Sequence, residues 1–254
     1  MRKTLTLALS LVLTGAGGLA FAQTQPNTLC DVREAKLKPG ARAQFEAGLK
    51  AHMGWHRKQN DTWSWGVLEI LTGPKQGGYY VLSCGHDWKD LAALDVNVAA
   101  HDADMATNIL PHVEAPLRSL WRYRTDLSRP APADKGEPAY YSGTTYYLRP
   151  EGVSPFEEAV TRTTEIARKA QFPRSASWFQ LVNGGEGPAF YLSQSRWTWA
   201  DFEAPSPSLA SVVDDALGKS LADDLRRSMA SSVRYTVSEM TKARPDLGYA
   251  PAKK

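Results

Sequence analysis

A constant offset of 111 residues lays one half of this chain on the other, and no other feature restricts its fold as strongly. Leu37, Lys38 and Pro39 meet Leu148, Arg149 and Pro150. Phe45 and Glu46 meet Phe156 and Glu157, and Arg57 and Lys58 meet Arg168 and Lys169. Gly73 meets Gly184, and Tyr79, Tyr80 and Val81 meet Phe190, Tyr191 and Leu192. Trp88 and Asp90 meet Trp199 and Asp201. One added residue carries the match onward, setting Met105, Ile109, Val113 and Leu117 against Leu217, Leu221, Leu225 and Met229, and Arg122 and Tyr123 against Arg234 and Tyr235. Two copies of one unit are therefore expected, at 23–127 and 140–240. Between them, 128–139 holds three prolines and a glycine and reads as a linker. The tail from 241 to 254 has two prolines and little apolar periodicity, so an extended or mobile terminus is expected.

Each copy spells β-α-β-β-α-β. In the first, strands are predicted at 29–37, 63–71, 79–85 and 121–127, with helices over 41–60 and 88–119, the latter bent near Pro111. In the second, strands are predicted at 140–148, 177–182, 189–195 and 233–239, with helices over 155–170 and 209–229. Two helices cover one face of such a sheet, and the other face needs a partner.

The first 22 residues read as an export signal. Arg2 and Lys3 precede an apolar run from Leu5 to Leu19, and Ala20-Phe21-Ala22 supplies small residues for cleavage. The run is shorter than the roughly 20 residues of a membrane span, and no later stretch is apolar enough to be one. The expected location is periplasmic or secreted. Removing the signal lowers the formal charge from +3 to +1. So small a charge makes no basic footprint and excludes an electrostatic nucleic-acid binder.

The element order, and the run Trp88, Asp90, Leu91 followed by Ala100, His101, Asp102 and Ala103, resemble the dimeric α+β barrel superfamily. The likeness is to its tandem members built from antibiotic-biosynthesis-monooxygenase units. The resemblance implies an α+β fold in which two tandem ferredoxin-like units form a pseudo-dimeric barrel, with small-molecule binding and monooxygenase-like or other redox chemistry. Some relatives bind haem through a helix histidine, which makes His101 the first position to test for such a role. In this unit the first and third strands are antiparallel neighbours, which brings Cys30 near Cys84. An exported chain can bridge them, or hold two separate buried thiols. The second copy has Ser195 at the place of Cys84.

All five histidines lie in the first copy. Taking Phe45 as zero at about 100° per residue, Leu49, His52 and His56 all fall within about 40°. His101 begins the stripe His101, Met105, Ile109, Val113, Leu117 on the later helix. Three histidines thus point into one helix–sheet layer, while the second copy has Thr163, Ala167 and Val213 there. They read as hydrogen-bonded structural residues, as acid–base or polar groups of a ligand pocket, or as a metal or haem site. His52 and His56 at i, i+4 can share a metal. No glutamate stands between them, however, and no carboxylate is evidently forced into the layer, although Asp102 and Asp104 are nearby.

Trp65 is a candidate pocket wall, and Asn60 a candidate amide at its mouth. Trp88 and Trp199 recur in both copies, which favours a packing role. No nucleophile elbow or phosphate loop is present, and Asp214, Asp215, Asp223 and Asp224 read as a solvated face. The leading expectation is a small-molecule site built from His52, His56 and His101. Its rivals are a haem protein and a non-catalytic envelope protein that engages a partner.

Overall fold

The computed structural model describes residues 28–95 and 97–251. The expected export signal at 1–22 lies outside the described residues. Among those described, no helix is long and apolar enough to cross a membrane.

The first half runs β1 (Leu29–Ala35), α1 (Arg42–Lys58), β2 (Gly66–Ile70), β3 (Tyr79–His86), α2 (Val98–Asn108) and β4 (Leu117–Tyr123). The second runs β5 (Tyr140–Leu148), α3 (Val153–Lys169), β6 (Ser177–Asn183), β7 (Ala189–Arg196), α4 (Leu209–Leu217), α5 (Lys219–Ser232) and β8 (Val233–Ala243). Alternating burial over β3 and a 3.6-residue stripe of buried Phe45, Leu49, His52, Met53 and His56 on α1 explain these choices. Arg57 and Lys58 occupy the last turn of α1, where the helix dipole favours positive charge.

The eight strands close into one antiparallel barrel in the order β1-β3-β2-β8-β5-β7-β6-β4. Closure removes the free edges that an open sheet would present. The halves are joined where β2 pairs with β8 and β4 with β6. The internal registers repeat. Cys30 stands opposite Cys84 as Tyr141 stands opposite Ser195, and Gly66 opposite Leu82 as Ser177 opposite Ser193.

The repeat ends before the last strand. Trp121 faces Cys30, whereas Thr241 faces Tyr141, so the offset has grown from 111 to 120. The second half spends the added residues on α5. The helix expected over 209–229 is two helices, parted at Gly218, whose φ of 76° suits glycine. The helix expected over 88–119 is instead a 3-10 turn (Trp88–Asp95), α2 and a second turn ending at His112. Pro111 and Pro116 account for the early end, because proline disfavours helix in the residue before it. β4 therefore starts at Leu117, not Trp121, and Leu117 leaves the expected helical stripe and is 48% exposed.

Two further expectations change. The tail is packed: Leu247 and Tyr249 are buried, and Tyr249 pairs with Trp65 through backbone bonds of 2.7 and 2.9 Å. Strand β8 delivers it beside β2, where apolar surface is available. Trp88 and Trp199, expected to pack, are 51% and 56% exposed, although the Trp199 ring does lie against Tyr140 and Phe202, with centroids 4.7 and 5.4 Å away.

One glycine controls how the first-half helices meet. A Cβ on Gly48 would stand 1.9 Å from the Asn108 carbonyl oxygen, so α1 and α2 touch backbone to backbone there. The matching residue of α3 is Ala159, buried without such an approach.

Candidate functional site

The close α1–α2 contact determines what stands one turn further along α1. His52 and His56 sit on the buried stripe of α1, 5% and 6% exposed. His101, half-buried on α2, faces them with ring centroids 5.2 and 5.8 Å away. One ring nitrogen from each of the three lies within 4.8 Å of the others.

Each histidine is backed by an aspartate. His52 Nδ1 donates to Asp104 Oδ2 at 2.7 Å. His56 Nδ1 lies 2.8 Å from Asp61 Oδ2, though out of line for a full hydrogen bond. His101 Nδ1 is 3.5 Å from Asp102. Burial pushes Asp61 up, but its contact with His56 and the bonds from the Trp63 amide and the Trp65 indole bring it below the usual carboxylate range. Burial pulls the His52 imidazole down to about 4 against the raising effect of Asp104, and His56 and His101 add to the fall. Burial also lowers His101, with the positive charge of Arg33 next in effect. Burial thus favours the neutral imidazole at His52 and His101.

A cavity of about 220 Å³ opens beneath these rings. Phe45, Leu49, Met53, Val81, Ile109 and Val113 make an apolar floor, and Trp65 makes one wall. Arg33 also lines it, with its Nε buried and lacking a hydrogen-bond partner among the described residues. The arrangement suits a small, largely apolar molecule carrying an anionic or acceptor group, and the imidazoles could instead hold one metal ion.

The structure brings His52, His56, His101 and Trp65 together. It does not bring Asn60, which is exposed at the end of α1 with φ 54° and does not line the cavity. Its role is to stop the helix, since asparagine tolerates the left-handed conformation. His86 lies apart, stacked on Trp63 at 3.5 Å and bonded to Ser83 Oγ at 2.7 Å. Cys30 and Cys84 are joined by a disulfide between β1 and β3.

Sequence reasoning missed three contributors. Asp104 is in the histidine layer after all; its position three residues after His101, on the same face of α2, was the available signal. Asp61 bears on the site because Asn60 turns the chain back beneath α1. Tyr249 arrives from the far end of the chain, its ring 6.3 Å from His56 and its hydroxyl donating to the Asp61 carbonyl at 2.8 Å. No pattern near the histidines announced it.

No family model and no curated protein matches the sequence. Solved structures do match in shape. An anthrone oxidase-like protein superposes with a TM-score of 0.58 at 12% identity, covering 91% of this chain and 96% of its own. A protein from Lactobacillus acidophilus NCFM proposed to be a monooxygenase gives 0.53 at 6% identity, over 89% and 97%. A mutant form of the chlorite dismutase of Candidatus Nitrospira defluvii gives 0.50 at 10% identity, over 88% and 94%. The closed eight-stranded antiparallel barrel and these likenesses establish that the chain has the fold of the dimeric α+β barrel superfamily.

Proposed function

We propose that this is an exported protein that binds a small molecule in the first-half cavity, with His52, His56 and His101 as its polar end. The observation that carries the reading is the joining of an apolar cavity to three clustered, aspartate-backed imidazoles and an unpaired Arg33 Nε. Export is supported by the signal-like first 22 residues and by the Cys30–Cys84 bridge, which an oxidising compartment preserves. We read the halves as tandem ferredoxin-like units of a pseudo-dimeric barrel. The repeated registers of β1, β2 and β3 with β5, β6 and β7 support that reading.

Redox chemistry of the monooxygenase type is the finer form of this reading, supported by the company the fold keeps. In such chemistry a neutral buried imidazole accepts a proton from an acidic C–H or O–H of the substrate. Haem fits less well. About 220 Å³ is below the roughly 300–1,000 Å³ of usual cofactor pockets, and each imidazole faces its neighbours instead of a free plane.

The test is fluorescence titration with 1-naphthoate, a small aromatic carboxylate. Saturable binding is expected with quenching of Trp65, weakened about tenfold or more in Arg33→Ala. Absence of saturation at millimolar concentration, or equal binding by Arg33→Ala and His52→Ala, would remove the assignment.

A further inference from the structure

The two buried histidines of α1 pose a problem of hydrogen atoms. His56 Nε2 and His52 Nε2 are 3.1 Å apart. On the other side of each ring a carboxylate, which only accepts, stands 2.7 or 2.8 Å from Nδ1. In neutral His52 the proton therefore belongs on Nδ1, and in neutral His56 the nearby Asp61 carboxylate favours the same tautomer although its Nδ1 makes no aligned hydrogen bond. Both Nε2 atoms are then bare lone pairs aimed at each other, with no hydrogen between them. A third imidazole closes the same space. A cation removes the conflict. A proton on one Nε2 can do so only by charging a buried imidazole or, in His56, by leaving a bare Nδ1 lone pair beside the Asp61 carboxylate.

We propose that His52, His56 and His101 form a binding site for one divalent first-row transition ion of the zinc class. Nitrogen ligands about 2.0–2.1 Å from a tetrahedral zinc stand about 3.3 Å apart, close to the spacing already present between His52 and His56. His101 moves inward to complete the set. Asp104 plays the part of the carboxylate behind a metal-bound histidine, holding the Nδ1–H tautomer of His52 and raising its basicity, and Asp61 and Asp102 stand near the Nδ1 atoms of His56 and His101. Three protein ligands leave a fourth position open to the cavity, for water or an anionic group that Arg33 would also meet. Three neutral imidazoles suit zinc, copper or nickel better than magnesium or calcium, which demand oxygen. The second half cannot copy the site, because it places Thr163, Ala167 and Val213 at these positions.

This inference deepens the ligand-binding reading and rests on it only for the occupant of the fourth position. The experiment uses chelator-treated, disulfide-bonded protein without a histidine tag. Zn²⁺ is titrated against a chromophoric competitor, and Co²⁺ binding is followed through its visible d–d bands. One ion per chain is expected, with tetrahedral-type Co²⁺ bands. His52→Ala, His56→Ala and His101→Ala should each weaken binding about 100-fold or more. Asp104→Asn, which keeps the side-chain shape, should weaken it about 10–100-fold. His112→Ala, outside the cluster, should bind as the parent does. Near-UV circular dichroism checks that each variant is folded. Failure of the folded parent to bind one Zn²⁺, or undiminished binding in both His101→Ala and Asp104→Asn, overturns the proposal. Zn²⁺ binding without 1-naphthoate binding would leave the metal site standing and remove the ligand reading, and the reverse result would do the opposite.

Discussion

The two halves share a strand plan and differ in what lies under their helices. In the first, Gly48 lets α1 and α2 touch, and three histidines ring a cavity. In the second, Ile166, Val213 and Ala222 form a buried apolar cluster with Leu209, Val212, Leu217 and Leu225 packed against it. The first half also carries the disulfide, where the second has Tyr141 opposite Ser195. At the matched positions the second copy buries the apolar Ala167 and Val213, and the first carries the polar His56 and His101. Burying polar groups costs stability unless they are paired, so the first copy needs its aspartates, its bridge and a packed C-terminal tail in ways the second does not.

The comparison can be broken at four points. The largest effect is expected from Cys30→Ser with Cys84→Ser, which opens a loop of 54 residues. A cost of about 4 kcal/mol is expected in denaturant titration, with hydrogen exchange rising first in the first half. A loss under about 1 kcal/mol would show that the bridge is dispensable.

Acid is next. His52 is held down to about 4 in the folded protein, whereas an unfolded histidine titrates near 6.5. Between those values the unfolded state binds the additional proton. Stability from this group is therefore complete above about 6.5 and falls as pH drops toward 4, by up to about 3 kcal/mol. In metal-free protein, exchange at pH 4.5 should accelerate in α1 and α2 more than in α3. Equal acceleration in both halves would contradict this asymmetry.

Gly48→Ala should cost about 1–3 kcal/mol and loosen the His52–Asp104 bond, visible as a changed His52 NMR titration. Its counterpart Ala159→Gly should cost only about 1 kcal/mol, the helix-propensity difference. Trp88→Ala and Trp199→Ala, both exposed, should shift stability by no more than about 0.5 kcal/mol each. A larger loss in Trp199→Ala than in Trp88→Ala would show that its contacts with Tyr140 and Phe202 carry stability despite its exposure.

Some of this was legible in the residues. The 111 offset carried the strand plan, because a repeated pattern of buried positions repeats the register that buries them. The stripe on α1 was readable because helical periodicity depends only on neighbours along the chain. Reading failed where distant parts decide. The second half's final helices departed from the repeat at Gly218, and Pro116 turned an expected helix into β4. Asn60, expected at the pocket mouth, serves the backbone instead.

What the sequence determined by itself is therefore local and periodic: two related halves, the α1 face that carries His52 and His56, and histidines confined to one copy. The tertiary structure decided what those histidines meet. Asp104 reaches His52 because Gly48 permits a close helix crossing, and Tyr249 reaches His56 because barrel closure brings β8 beside β2. Those contacts join residues 52 and 193 positions apart, and separations of that kind leave no periodic trace in the chain.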